Sequence, residues 1–208
     1  ALPISDIVNA LLTIYRHDGY LPDARSGNSN GRTQGGSNAE IVFADAFSKG
    51  LEGIDYELAL EAMLKDAEVP PADDEAEGRG GGEEYRRLGY IPWGIPRAGN
   101  RTVEYAACDA AIATLSAALG QDSLAADYAA RSRNWRNLWR NDTVEDGVAG
   151  FLMPRDAAGH WLDSLPFGES SRTEHFYRYS PTTAEGPWYT KWWSAFFYEG
   201  SSWEYSLS

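Results

Sequence analysis

The sequence predicts an all-α fold, and more narrowly part of an α/α toroid, from three observations. Apolar residues recur at spacings of three and four in successive segments, which is the helical period. Short turns alternate with long loops rich in Gly, Asn, Ser and Pro, an arrangement that suits helix pairs with elaborate loops at one end. No β-α-β alternation and no short-period repeat occurs. The helices counted below make about half of such a ring. Apolar faces are therefore expected to be left for further chain, and the remainder of the same polypeptide is an expected partner.

Ile4, Ile7, Val8, Leu11, Leu12 and Tyr15 define a first amphipathic helix, with Ser5 or Asp6 as its cap. Gly19 to Asn38 is a polar, glycine-rich loop, too long for a simple connector. Ala39 to Lys49 reads as a second helix, with Asp45 and Lys49 four apart for an ion pair. Gly50 and Gly53 end it, and Asp55 caps a third helix to about Ala67. Val69 to Pro96 reads as irregular, through Pro70-Pro71 and Gly78 to Gly82. Thr102 to Leu119 is an alanine-rich helix stopped by Gly120. Asp122 or Ser123 caps another, expected to run to about Trp139. Irregular chain carries on to Pro187, and a last helix is expected from around Ser201.

The net charge of −13, from 18 basic and 31 acidic residues, excludes nucleic acid and anionic membranes as expected partners. Part of the acidity lies in Asp73-Asp74-Glu75-Ala76-Glu77, which reads as a solvated loop. The single Cys108, in an alanine-rich helical run, reads as a small buried filler rather than a nucleophile. His17, His160 and His175 lack zinc spacing, and no metal ligand is assigned. Gly78 to Gly82 lacks the strand, Lys and Ser/Thr of a phosphate loop.

Chemistry concentrates at Tyr198-Glu199-Gly200-Ser201-Ser202-Trp203-Glu204-Tyr205, directly after an aromatic run from Trp188 to Phe197. Aromatic faces are platforms for sugar rings, and rings crowding a carboxyl raise its pKa. A carboxylic acid that keeps its proton is what glycosidic cleavage needs, so Glu199 is the candidate general acid. Trp203, four residues on, shares its helix face and is a candidate sugar contact. A second candidate is the loop from Asp23 to Gln34, where Asp23 and Arg32 offer bidentate partners for sugar hydroxyls; a loop satisfied by its own Asx turns is the alternative. Arg155 reads as a loop anchor. Glu104 and Asp109 read as capping, helix salt-link or core hydrogen-bonding groups.

Ordered segments along the chain resemble family 92 of the glycoside hydrolases, calcium-dependent exo-acting α-mannosidases. The first runs from Pro22-Asp23-Ala24-Arg25 through Gly31-Arg32-Thr33-Gln34-Gly35-Gly36-Ser37-Asn38-Ala39, and Ala44-Asp45-Ala46-Phe47-Ser48-Lys49-Gly50 follows. Ala62-Met63-Leu64-Lys65-Asp66-Ala67-Glu68, Gly89-Tyr90-Ile91-Pro92 and Arg101-Thr102-Val103-Glu104-Tyr105 continue it. Arg131-Ser132-Arg133-Asn134-Trp135-Arg136-Asn137 and Gly150-Phe151-Leu152-Met153-Pro154-Arg155 lead to Tyr198-Glu199 and Trp203-Glu204-Tyr205. The resemblance implies that residues 1–208 are a partial (α/α)6 catalytic domain, with a β-sandwich before it and the rest of the barrel after it. It implies hydrolysis of terminal α-mannose, of α-1,2 type, from N-glycans or mannan with inversion, and an extracellular protein. Glu199 aligns with the family's acid; the base and most calcium ligands lie in further chain. Two alternatives stay open: a mannosyl phosphodiesterase, whose members carry Gln where this chain has Glu199, and a non-catalytic sugar-binding helical module.

Overall fold

The computed structural model describes residues 3–22, 38–74, 77–166, 176–178 and 196. Six helices dominate among the described residues: α1 Pro3–Asp18, α2 Ala39–Ser48, α3 Tyr56–Glu68, α4 Gly82–Leu88, α5 Ala98–Ala118 and α6 Asp122–Arg131. A 3-10 turn, Asn134–Leu138, leads into β1 Trp139–Glu145, which pairs antiparallel with β2 Val148–Leu152. A second short antiparallel pair joins β3 Ser164–Pro166 to β4 Phe176–Arg178. The predominantly helical chain agrees with the fold class expected, and the four short strands fall where the sequence reads as irregular. Among the described residues no helix is long and apolar enough to cross a membrane. The chain forms two compact units, Ala1–Glu83 with Glu104–Arg133, and Glu84–Val103 with Asn134–Ser208.

In the first unit the buried stripes of five helices share one core. Val8 and Leu12 of α1 meet Phe43 and Ala46 of α2, Leu60 and Met63 of α3, Ile112 and Leu115 of α5, and Tyr128 of α6. Small residues, Ala39, Ala59 and Ala62 among them, are buried there too and let helix backbones approach closely. The Asp55 carboxylate accepts the Leu58 N–H at 3.0 Å, the expected cap of α3. Lys49 donates to Asp45 at 2.6 Å on the exposed side of α2, also as expected. The cap of α1 differs: the helix already starts at Pro3, whose lack of an N–H suits a first turn, so Ser5 and Asp6 lie inside it. Ser5 instead donates to the Glu52 carbonyl at 3.1 Å.

Two further differences have local causes. α6 begins after Gln121, with Asp122 in its first turn, where a carboxylate favours the helix dipole. It stops at Arg131 rather than near Trp139, because the chain tightens into the 3-10 turn and then commits Trp139 to β1. α4 is only 7 residues long, too short to show a period, which is why its sequence reads as irregular.

In the second unit Tyr85, Ile91, Leu138 and Phe151 are fully buried. Gly89 ends α4 in a left-handed conformation, φ +75°. Its carbonyl accepts the Asn137 side-chain amide at 2.9 Å, tying α4 to the 3-10 turn.

Candidate active site

All four sequence candidates, Asp23, Arg32, Glu199 and Trp203, lie outside the described residues. The structure does describe residues that flank them. Pro22 is buried immediately before Asp23, and the neighbouring Leu21 N–H is held by the Asp66 carboxylate at 3.1 Å. Phe196, three residues before Glu199, is 1 % exposed. Its carbonyl accepts the Gly99 N–H from the first turn of α5 at 2.9 Å. Its ring lies 6.4 Å from that of Trp93 at 49°.

The residues around Phe196 form a cradle within the second unit. The Trp93 N–H donates to the Arg155 carbonyl at 2.7 Å. The Arg155 guanidinium donates from Nε and Nη2 to the Gly159 carbonyl (3.1 and 2.9 Å) and from Nη1 to the Asn137 carbonyl (2.9 Å). It also lies between the rings of Tyr90 and Trp161, 4.9 and 4.7 Å from their centres. Arg155 thus anchors a loop, as its sequence setting suggests. The Tyr90 hydroxyl donates to the Asp156 carbonyl at 2.8 Å, and the Ile91 N–H to Thr102 Oγ1 at 2.9 Å. Arg97, before α5, is buried and takes φ +60°, a left-handed conformation that costs a non-glycine residue roughly 1–2 kcal/mol. Rigid backbone on both sides of Trp93 is what this network produces.

A second polar cluster, in the first unit, escapes sequence reasoning as a whole. Arg79 is buried and donates from Nη2 to both oxygens of Glu40 (3.1 and 3.0 Å) and from Nη1 to Asp109 at 2.7 Å. Its guanidinium also lies 5.1 Å from the centre of the Tyr105 ring. Arg131 Nε sits 3.4 Å from the other Asp109 oxygen, and Arg131 also pairs with Glu68, which accepts the Tyr128 hydroxyl at 2.5 Å. Burial pushes the Glu40 carboxyl up to about 6, opposed by the facing Arg79 charge. The cluster joins α2, α3, α5 and α6 to the glycine loop after Gly78. Asp109 is therefore the core salt link its position suggests, and Cys108 beside it is buried as expected. The one signal in the sequence is a lone arginine inside the run Gly78 to Gly82; a guanidinium needs counter-charge if the loop folds inward.

Among the described residues no three His, Cys, Asp or Glu side chains are grouped to hold a metal. Glu40 and Asp109 already face a guanidinium, so a calcium ion does not fit between them.

A helical chain whose candidate acid follows the anchored Phe196 by three positions fits a glycoside hydrolase. Residues 3–208 match the Glycosyl hydrolase family 92 catalytic domain, and the chain belongs to that family. It is 41% identical over 175 residues to an uncharacterized secreted glycosidase of Arthroderma benhamiae, covering 76% of this chain and 22% of the relative. It superposes with a TM-score of 0.74 and 30% identity on a family GH92 inverting mannosidase from Bacteroides thetaiotaomicron, covering 96% of this chain and 23% of that one. A GH92 alpha-mannosidase of the same bacterium, solved with mannoimidazole, gives 0.74 and 25%, covering 98% and 24%. The chain spans less than a quarter of the length of these relatives.

Proposed function

We propose that the protein containing this chain hydrolyses terminal α-linked mannose, of α-1,2 type, from N-glycans or mannan, with inversion at the anomeric carbon. Glu199 serves as the general acid. The observation that carries the reading is family 92 membership across residues 3–208, a match that extends through Glu199. The anchored Phe196, three residues before it, supports a fixed base for the acid's segment.

In this reading Glu199 gives its proton to the glycosidic oxygen as the bond to the anomeric carbon breaks. Water, deprotonated by a second carboxylate, adds from the opposite face; inverting pairs stand about 6.5–9.5 Å apart. That second carboxylate is supplied by further chain of the same polypeptide. Calcium dependence is part of the proposal, with ligands outside the described residues. An extracellular setting is supported by the Arthroderma relative, which is named a secreted glycosidase.

In the full-length enzyme, Glu199→Gln should lower kcat/KM for α-1,2-mannobiose by about 10²–10⁴-fold. α-Mannosyl fluoride, whose leaving group needs no proton, should suffer much less. Equal losses on both substrates, or unchanged turnover of mannobiose, reject Glu199 as the acid. Faster release of mannose from mannose-α-1-phospho-6-mannose than from mannobiose would favour the phosphodiesterase instead.

A further inference from the structure

The geometry points to Trp93 as a stacking platform for the sugar that departs with the leaving group, an inference that rests on Glu199 acting as the acid. Trp93 is half-buried, while the residues that hold it are buried or bonded. Its backbone is pinned to Arg155 at 2.7 Å, and Arg155 is itself fixed by three donor nitrogens and two rings. Its ring packs on Phe196, whose carbonyl is bonded to the first turn of α5. An indole fixed in this way pays little conformational entropy when a ligand covers its remaining exposed surface, so its contact area converts efficiently into affinity.

Position supplies the rest of the argument. Glu199 follows Phe196 by three positions, so at most about 11 Å of chain lies between their α-carbons. The acid protonates the oxygen that leaves, and so works on the leaving-group side of the scissile bond. A ring fastened to the acid's own segment therefore meets the departing sugar first. Neither charge nor hydrogen bonding is asked of Trp93; its flat apolar face is the recognition element.

The test uses the full-length enzyme with α-1,2-mannobiose and α-mannosyl fluoride, which has no leaving sugar. Trp93→Ala should lower kcat/KM for mannobiose roughly 3–10-fold, mostly through KM, with fluoride hydrolysis unchanged. Trp93→Phe should restore most of the loss, because it keeps an aromatic face. Phe196→Leu, which disturbs only the support, should depress mannobiose hydrolysis and largely spare the fluoride, whose turnover needs neither the acid's proton nor a leaving sugar. Should Trp93→Ala not fold, Trp93→Leu keeps apolar bulk without the ring and takes its place. No loss on mannobiose, or equal loss on both substrates, overturns the inference. Wild-type enzyme inert toward mannobiose, or Glu199→Gln without effect, overturns the functional reading, and the inference with it.

Discussion

Arg79 lies among four glycines, and its guanidinium is bonded to two buried carboxylates, Glu40 and Asp109. Nothing in the local spacing pairs residue 79 with residue 40. The partners come together only through tertiary packing, so the sequence shows the odd arginine but not its purpose. The cluster also has a pH signature. Burial is the largest influence on Glu40 and raises it from 4.5 to about 6. Between those values the folded chain keeps a proton that the unfolded chain has released. Glu40 thus favours folding most below pH 4.5, and this contribution is lost as pH rises through about 6. Glu40→Gln should flatten that section of the stability curve. Urea midpoints measured from pH 4 to 7 read it, and an unchanged slope in the variant counts against the assignment. At the same scale Asp55 and the Asp45–Lys49 pair are legible, because their partners lie within one helical turn.

Among the elements, the long helices are legible and the short pieces are not. Leu12 with Val8, and Met63 with Leu60, repeat at the helical period and end up buried. β1 gives no comparable signal: Trp-Arg-Asn-Asp-Thr-Val-Glu is polar, and a register irregularity between Arg140 and Val144 breaks its alternation. Its partner β2 is buried at Gly150, Phe151 and Leu152 in succession, which reads equally as a helix fragment. Gly89 fixes the junction between α4 and the loop that carries Trp93. A β-carbon there would lie 2.6 Å from Asn137 Nδ2, on a backbone already at φ +75°. Gly89→Ala should destabilise the protein by about 1–2 kcal/mol from the backbone alone, and further through the displaced amide. Thermal unfolding of the variant beside wild type measures this, and an unshifted Tm refutes it.

For the whole molecule, the resemblance read from ordered segments leads to the correct family, and helix succession leads to the correct fold class. The site is legible only in part. Glu199 is nominated by its aromatic neighbours, whereas the cradle of Gly89, Trp93, Asn137 and Arg155 draws on residues up to 66 apart, beyond any local pattern. Metal chemistry belongs to this scale as well, because the described residues group no three His, Cys, Asp or Glu side chains to hold a metal. Dialysis of the full-length enzyme against a chelator should abolish mannobiose hydrolysis, and added calcium should restore it; activity that survives chelation removes calcium from the proposal.

Arg155 donates from three nitrogens to the carbonyls of Asn137 and Gly159 and lies 4.9 and 4.7 Å from the centres of two rings. Lysine offers one point of attachment and no planar face, so even the substitution usually thought mild is not mild here. In a saturation screen scored by activity alone, position 155 would stand out as sharply as Glu199, the proposed proton donor. Only a parallel score for protein abundance would separate a residue that holds the fold from one that does chemistry.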